Sequence, residues 1–370
     1  MKVALAHDFL VEFGGGERVL EALHEIFPDA PIYTAYFDLD SFGVHKDRIK
    51  KWDIRSSWMQ KFPFARQLIS PFRIFASSAF ESFDLSEYDL IISSCNTYFS
   101  KAIITKPGSL HISYIHTPPR YLYGYTTSFN YKKHWWTRIV GELMNHVLRI
   151  YDFETSQRPD ILVANSKEVQ RRISKFYRRD SVLIYPPVEV EGIKNFESRS
   201  KGKKGEYYLS LNRLVRGKGT EATVEACSKL NLPLKVAGSG PELSRLKKLA
   251  GKSVEFLGEV SDEKRIELLA NAKALIVSSE DEDFGITAVE SQAAGTPVIA
   301  VKAGGYLETV TEGKTGQFFN EATVESLTQV LQSFDENKFK KEDLQKNAEK
   351  FSKERFKKEI LDLIAKQGIR

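Results

Sequence analysis

Ser278 to Gly295, SSEDEDFGITAVESQAAG, is the stretch around which the rest of the chain is ordered. Four carboxylates, Glu280, Asp281, Glu282 and Asp283, come two serines after the apolar run Ala274-Leu275-Ile276-Val277. An apolar run of this length reads as a buried strand. Acids that end such a strand stand at the carboxyl edge of a sheet, where open α/β folds bind their ligands. Phe284-Gly285-Ile286 comes next, then a helix-like segment carrying Glu290. Gly285 lets a ligand approach the backbone closely. The helix start behind it offers unpaired N–H groups and a positive dipole end, which suit a phosphate. Acids for hydroxyls and amides for phosphate in one segment point to a nucleotide sugar. A solvated acidic loop accounts for Asp281 and Asp283 but not for the Phe-Gly-Ile that follows.

Outward from this stretch, strand and helix alternate. Tyr207–Leu211, Leu234–Ala237, Val254–Leu257 and Val298–Val301 read as strands, separated by helical segments. Such alternation indicates a parallel sheet covered on both faces. The first half carries the same pattern from Val3–Phe9 to Val182–Tyr185. The expected architecture is therefore α/β, with two doubly wound Rossmann-like domains facing across a cleft. At 370 residues the chain is long enough for two cores. The expected division is 1–190, 200–350 and a C-terminal helix over 351–370 that packs back toward the first domain. Residues 190–205, polar and basic, read as the linker. In the tail, Phe351, Phe356, Ile360, Leu361 and Ile364 fall on one apolar helical face.

Composition narrows the class. Hydrophobic content of 42% and charged content of 28% are those of a soluble globular protein. Cys95 and Cys227 form no CxxC pattern, which argues against zinc and disulfides and for a reducing compartment. The start of the chain lacks the apolar core of a signal peptide, and no apolar run approaches spanning length. The expected location is the cytoplasm. Residues 50–75 interleave Trp52, Trp58, Phe62, Phe64, Phe72 and Phe75 with six Lys and Arg residues. Tyr131-Lys132-Lys133-His134-Trp135-Trp136 has the same character. Two readings stand for these patches: an interfacial segment on the anionic inner face of the cytoplasmic membrane, or an ordinary insertion with snorkelling cations. No nucleic-acid motif accompanies them.

Further chemistry-bearing residues stand at other strand ends. After Val3–Phe9 comes Gly14-Gly15-Gly16-Glu17 and a helix, a strand-loop-helix turn able to hold an anion. It is not the dinucleotide fingerprint, which needs glycine where Val19 stands. His116 ends the strand His111–His116 before Thr117-Pro118-Pro119, either as a structural imidazole or as a substrate contact. In the second half, Arg213 and Lys218 lie in Asn212-Arg213-Leu214-Val215-Arg216-Gly217-Lys218-Gly219; one offers a planar fork to a phosphate and the other a point charge. The Walker pattern is absent: Asn212, Leu246 and Glu308 occupy the required glycine position before Gly217-Lys218, Gly251-Lys252 and Gly313-Lys314, and Glu197 occupies it before Gly202-Lys203.

Taken in order, HDFLVEFGGGERVLEAL, ANSKEVQRRI, YPPV, LNRLVRGKG, AGSGPEL, VEFLGEV, EDFGITAVESQAAGTPVIA and GGYLETV resemble the retaining glycosyltransferases of family 4. That family has the two-domain GT-B fold, and its E-x7-E element falls on Glu282 and Glu290. Within it, the chain is most similar to bacterial mannosyltransferases of surface-polysaccharide and O-antigen biosynthesis. The resemblance implies diphosphate contacts from Arg213 and Lys218. It implies amide contacts from Gly285, Ile286 and the Gly15-Gly16 loop. It places His116 near the donor sugar, Glu282 on sugar hydroxyls and Glu290 on the ribose. One departure is Val215-Arg216-Gly217 before Lys218, where relatives often carry a proline and an aromatic residue.

The activity expected is retaining transfer of a hexosyl group, mannose from GDP-mannose, to a glycan or lipid-linked glycan. No cofactor or metal is expected, because cations and helix amides would stabilise the leaving diphosphate. Two rivals share the architecture: a nucleotide-sugar epimerase, and a non-catalytic sugar-nucleotide-binding subunit.

Overall fold

A computed structural model describes residues 1–62, 75–125, 135–197 and 205–368. They fall into two compact units. Unit 1 holds residues 1–125, 135–187 and 356–368; unit 2 holds 188–197 and 205–355.

Unit 1 is built on a seven-stranded sheet. Its strands are β1 (Val3–Leu10), β2 (Ile32–Phe37), β3 (Ile54–Ser56), β4 (Leu90–Cys95), β5 (Leu110–Ile115), β6 (Ile161–Ala164) and β7 (Val182–Leu183). Their order is β3-β2-β1-β4-β5-β6-β7, all parallel. Covered on both faces, such strands read as continuous apolar runs rather than alternating ones. β4 is buried at every residue. β1 sends Leu5 into a cluster with Val19, Leu20 and Leu23 of the helix Gly15–Ile26, and Ala4 and Ala6 into another with Phe80 and Phe99.

Unit 2 repeats the principle with β8 (Tyr208–Leu211), β9 (Leu234–Ala237), β10 (Val254–Gly258), β11 (Ala274–Val277), β12 (Val298–Val301) and β13 (Gly316–Phe319). Their order is β10-β9-β8-β11-β12-β13, again all parallel. In each sheet the strand order reverses beside the first strand, between β1 and β4 and between β8 and β11. These are the switch points at whose carboxyl ends open α/β sheets bind ligands.

Several expectations are corrected. The stretch expected as a linker begins with a helix, Val190–Glu197, whose Val190 and Ile193 are buried in unit 2. The rest of that stretch to residue 204 lies outside the described residues. Apolar residues on successive turns outweighed the polar composition. The aromatic-basic segment 50–75 holds the edge strand β3, and Trp52 and Trp58 pack against core clusters. They are therefore partly buried core aromatics rather than membrane-facing ones. Residues 63–74 of that segment and 131–134 of the second patch lie outside the described residues.

The tail does not have a single apolar face either. Phe351 is buried in unit 2, 5.3 Å from Phe284. Phe356, Ile360 and Ile364 enter the core of unit 1, and Leu361 is exposed. The helix Lys353–Ala365 begins between Phe351 and Phe356, so the apolar run changes core at its start.

Candidate active site

In unit 1, polar side chains converge on the β1/β4 switch point. His7 and Ser94 are register partners on adjacent strands. Their side chains meet, His7 Nδ1 to Ser94 Oγ, at 3.0 Å. On the other side of the ring, His7 Nε2 lies 3.2 Å from Glu17 Oε1. Glu17 also accepts the Gly14 N–H at 2.8 Å, half of a capping box at the helix start. Ser94 Oγ lies 2.8 Å from His116 Nε2. His116 follows β5 directly and is tied to β4 by its backbone N–H, which donates to Cys95 O at 3.0 Å. Burial pushes the His116 imidazole down to about 4, so the ring is neutral at pH 7. Asp8, also buried, takes the N–H groups of Asn96, Thr97 and Ser100 and fixes the loop after β4.

The glycine loop has a packing reason. A Cβ at Gly16 would lie 2.6 Å from Asn96 Nδ2. Gly15 opens the helix Gly15–Ile26, with Gly14 as its N-cap. A close approach between this loop and the β4 end therefore accounts for Gly16 before any ligand is considered.

In unit 2, two loops meet at the β8/β11 switch point. Lys218 Nζ donates to Glu282 Oε2 at 2.8 Å, with both side chains about one-fifth exposed (23% and 18%). Ser279 Oγ donates to Gly217 O at 3.0 Å, and Thr223 Oγ meets Ser278 Oγ at 2.9 Å. Gly219, with φ +68°, passes so close that a Cβ would lie 2.2 Å from Ser278 O. Arg213 stands exposed in the loop after β8. A third loop supports this one, since Leu214 N donates to Ser239 O at 2.8 Å and a Cβ at Gly240 would lie 2.3 Å from Leu214 O.

Gly285 is the N-cap of the helix Ile286–Ala293 in a left-handed conformation, φ +92°. A Cβ there would reach Tyr306 at 2.8 Å. The acidic loop is braced from the β12 side, where Gly305 N donates to Glu282 O at 2.9 Å. Glu280 is exposed, while Asp281, Glu282 and Asp283 are partly buried. Asp281 and Asp283 are thus less solvated than a purely acidic surface loop would be.

Glu290 is buried in the same helix and forms a close ion pair with Arg265. Arg265 also holds Asp262 at 3.0 Å. Burial opposes the Arg265 charge, but the Glu290 and Asp262 carboxylates outweigh it and hold the guanidinium above its ordinary value. Glu290 Oε2 is buried with no hydrogen-bond partner among the described residues.

The expected site residues therefore fall into two groups. Lys218 and Glu282 are in contact in unit 2, with Arg213 in the same loop as Lys218 and Gly285, Ile286 and Glu290 following Glu282. Gly15, Gly16 and His116 surround the β1/β4 switch point of unit 1. Sequence reasoning did not find Arg265, His7, Glu17 or Ser94 as partners of these residues. His7 and Glu17 stood in the quoted stretches, but their meeting depends on the strand order. Among the described residues no group of three or more His, Cys, Asp or Glu is arranged to hold a metal ion. No described helix is long and apolar enough to cross a membrane.

Residues 191–351 match the family model described as Glycosyl transferases group 1. Among curated relatives, an uncharacterised glycosyltransferase of Methanocaldococcus jannaschii is 25% identical over 212 residues, 55% of this chain and 58% of that protein. An alpha-1,3/1,6-mannosyltransferase of Dictyostelium discoideum is 28% identical over 229 residues, 50% of this chain and 54% of that protein. The chain thus spans about half the length of these curated relatives. The crystal structure of Anabaena HepE in complex with UDP is similar over 99% of this chain and 100% of that one, with a TM-score of 0.69 at 17% identity. The fold of the chain is GT-B, two parallel-sheet α/β units, and residues 191–351 are similar to the glycosyl transferases group 1 family.

Proposed function

We propose that the chain is a glycosyltransferase moving a hexosyl group from a nucleotide sugar to an acceptor hydroxyl, with retention and without a metal. The observation that carries this reading is the Lys218–Glu282 contact at the β8/β11 switch point, beside the N-cap of the helix Ile286–Ala293. Lys218 and Arg213 would meet the diphosphate, with the amides of Gly285 and Ile286 at the helix start. Glu282 would take sugar hydroxyls. Glu290 Oε2 is a carboxylate oxygen still able to accept from the ribose. In unit 1, Gly15, Gly16 and His116 stand at a switch point of their own, β1/β4, and a role for them toward a donor rests on the resemblance alone.

In the reaction the bond from the anomeric carbon to the diphosphate oxygen breaks, and a bond to the acceptor oxygen forms as its proton leaves. The transition state is oxocarbenium-like, with negative charge growing on the diphosphate. Fixed cations and amides stabilise that charge without reorganising.

Mannose as the sugar rests on resemblance and is supported by the mannosyltransferase among the relatives, and GDP-mannose as the donor rests on resemblance alone. The acceptor is read as a glycan or lipid-linked glycan. A donor panel tests this: nucleoside diphosphate release with and without membrane lipid extract, with product anomers read by NMR. An epimerase would convert the donor without acceptor. A binding subunit would hold it unchanged.

A membrane surface as a second partner is favoured by one observation. Ile139, Leu143, Val147 and Ile150, spaced along one face of the helix Trp135–Ser156, are all exposed, Leu143 at 66%. An apolar stripe of this spacing can lie in the interfacial region of a bilayer.

A further inference from the structure

We infer that Glu17, His7 and Ser94 form a one-directional hydrogen-bonded chain that fixes His116 in the tautomer carrying its proton on Nε2. His116 then presents Nδ1 as an acceptor. That the acceptor serves a sugar hydroxyl rests on the function proposed above; the chain itself does not.

Every link is within hydrogen-bond reach. Gly14 N donates to Glu17 Oε2 at 2.8 Å, and Glu17 Oε1 lies 3.2 Å from His7 Nε2. His7 Nδ1 lies 3.0 Å from Ser94 Oγ, which lies 2.8 Å from His116 Nε2. All four side chains are buried, His7 and Ser94 completely.

The direction follows from the donor inventory. Burial opposes ionisation of Glu17, but the hydrogen bonds from His7 and the Gly14 amide hold its carboxyl below the ordinary value. An ionised carboxylate only accepts, so His7 carries its proton on Nε2. A neutral His7 has a lone pair on Nδ1, and the Ser94 hydroxyl must donate to it. That hydroxyl has a single proton, so its oxygen accepts from His116 Nε2–H. His116 is neutral, and one proton on Nε2 leaves Nδ1 unprotonated. A doubly protonated His7 would reverse the last two links.

Glu17→Gln reverses the chain by design. The Gly14 N–H needs the single amide oxygen, which leaves the amide NH2 facing His7 Nε2. His7 then carries its proton on Nδ1 and donates to Ser94, and Ser94 donates to His116 Nε2. Glu17, His7 and Ser94 are thus positioning residues acting through His116.

The test reads 15N NMR of imidazole-labelled protein without substrate, with His116 assigned through His116→Asn. The expected result is Nε2–H at His116 in the wild type and Nδ1–H in Glu17→Gln. Ser94→Ala should give mixed tautomers and about tenfold lower turnover, and Ser94→Thr, which keeps the hydroxyl, should restore both. An Nδ1–H wild type, or the same tautomer in wild type and Glu17→Gln, overturns the inference. Because the spectra need no donor, failure of the proposed transferase activity would not disturb this reading.

Discussion

Lys218 and Glu282 follow neighbouring parallel strands, β8 and β11, and their side chains meet at 2.8 Å. Each brings to the switch point what the other lacks, a cation for phosphate and an acceptor for hydroxyls. The pair is partly exposed, so its worth to stability is small, about 0–1 kcal/mol. Its worth to transition-state stabilisation is expected to be far larger. Lys218→Ala should lower turnover about 10²–10³-fold while the thermal midpoint stays close to that of the wild type. A large loss of stability in that variant would show that the pair is structural.

Glu290 should behave in the opposite way. It is buried against Arg265, and removing one partner of a buried pair leaves an uncompensated charge. Glu290→Ala is expected to destabilise unit 2 by about 3–5 kcal/mol, measured by urea unfolding. Glu282→Gln, at a partly exposed position, should shift the same transition by about 1 kcal/mol or less.

Two glycines with left-handed backbones separate strain from clash. Gly313, at φ +72°, has open space where a Cβ would stand, whereas a Cβ at Gly219 would meet Ser278 O at 2.2 Å. Gly313→Ala should therefore cost about 1 kcal/mol, from backbone strain alone. Gly219→Ala adds a backbone collision and should cost several-fold more, in the same denaturation measurement.

Acid should weaken unit 1. Burial pushes His116 down to about 4 and His111 down to about 3, against an ordinary value of 6.5. The unfolded chain binds protons at these sites before the folded one does, so stability falls as pH drops from 6.5 toward 4 and is unaffected above that window. Each unit of depression is worth at most about 1.4 kcal/mol. His111→Gln should flatten the pH dependence of the urea midpoint; an unchanged slope would rule out His111 as a contributor.

Vesicle co-sedimentation tests the exposed stripe of the helix Trp135–Ser156. Leu143→Glu should abolish binding to anionic vesicles at low salt without lowering transfer to a soluble acceptor. Equal sedimentation of wild type and variant would remove the membrane reading.

What could be read from the amino-acid chain, and what could not, divides along a physical line. The apolar runs Ala274–Val277 and Val298–Val301 announced buried parallel strands, and polar residues placed after them announced strand tips. Glu282, after the first of these runs, and Lys218, after Tyr207–Leu211, were placed at strand tips on those grounds. Which tips are neighbours is decided by strand order, and local pattern carries no information about it. The His7–Ser94 contact exists because β1 lies beside β4, with these two residues in register. Arg265 was missed because a helical arginine beside Asp262 and Glu263 reads as a solvated face; only packing brings it onto Glu290. Trp52 misled in the other direction, since an aromatic among cations resembles an interfacial anchor until the core behind it is known.

The most direct measurement is donor turnover by the wild-type protein and Lys218→Ala across a panel of GDP- and UDP-hexoses, with acceptor extract present or withheld. The account predicts acceptor-dependent release of nucleoside diphosphate, hexose transferred with the donor's anomeric configuration, and about 10²-fold or greater loss in Lys218→Ala. Equal turnover by wild type and Lys218→Ala, donor isomerised without acceptor, or no donor consumed at all would contradict it.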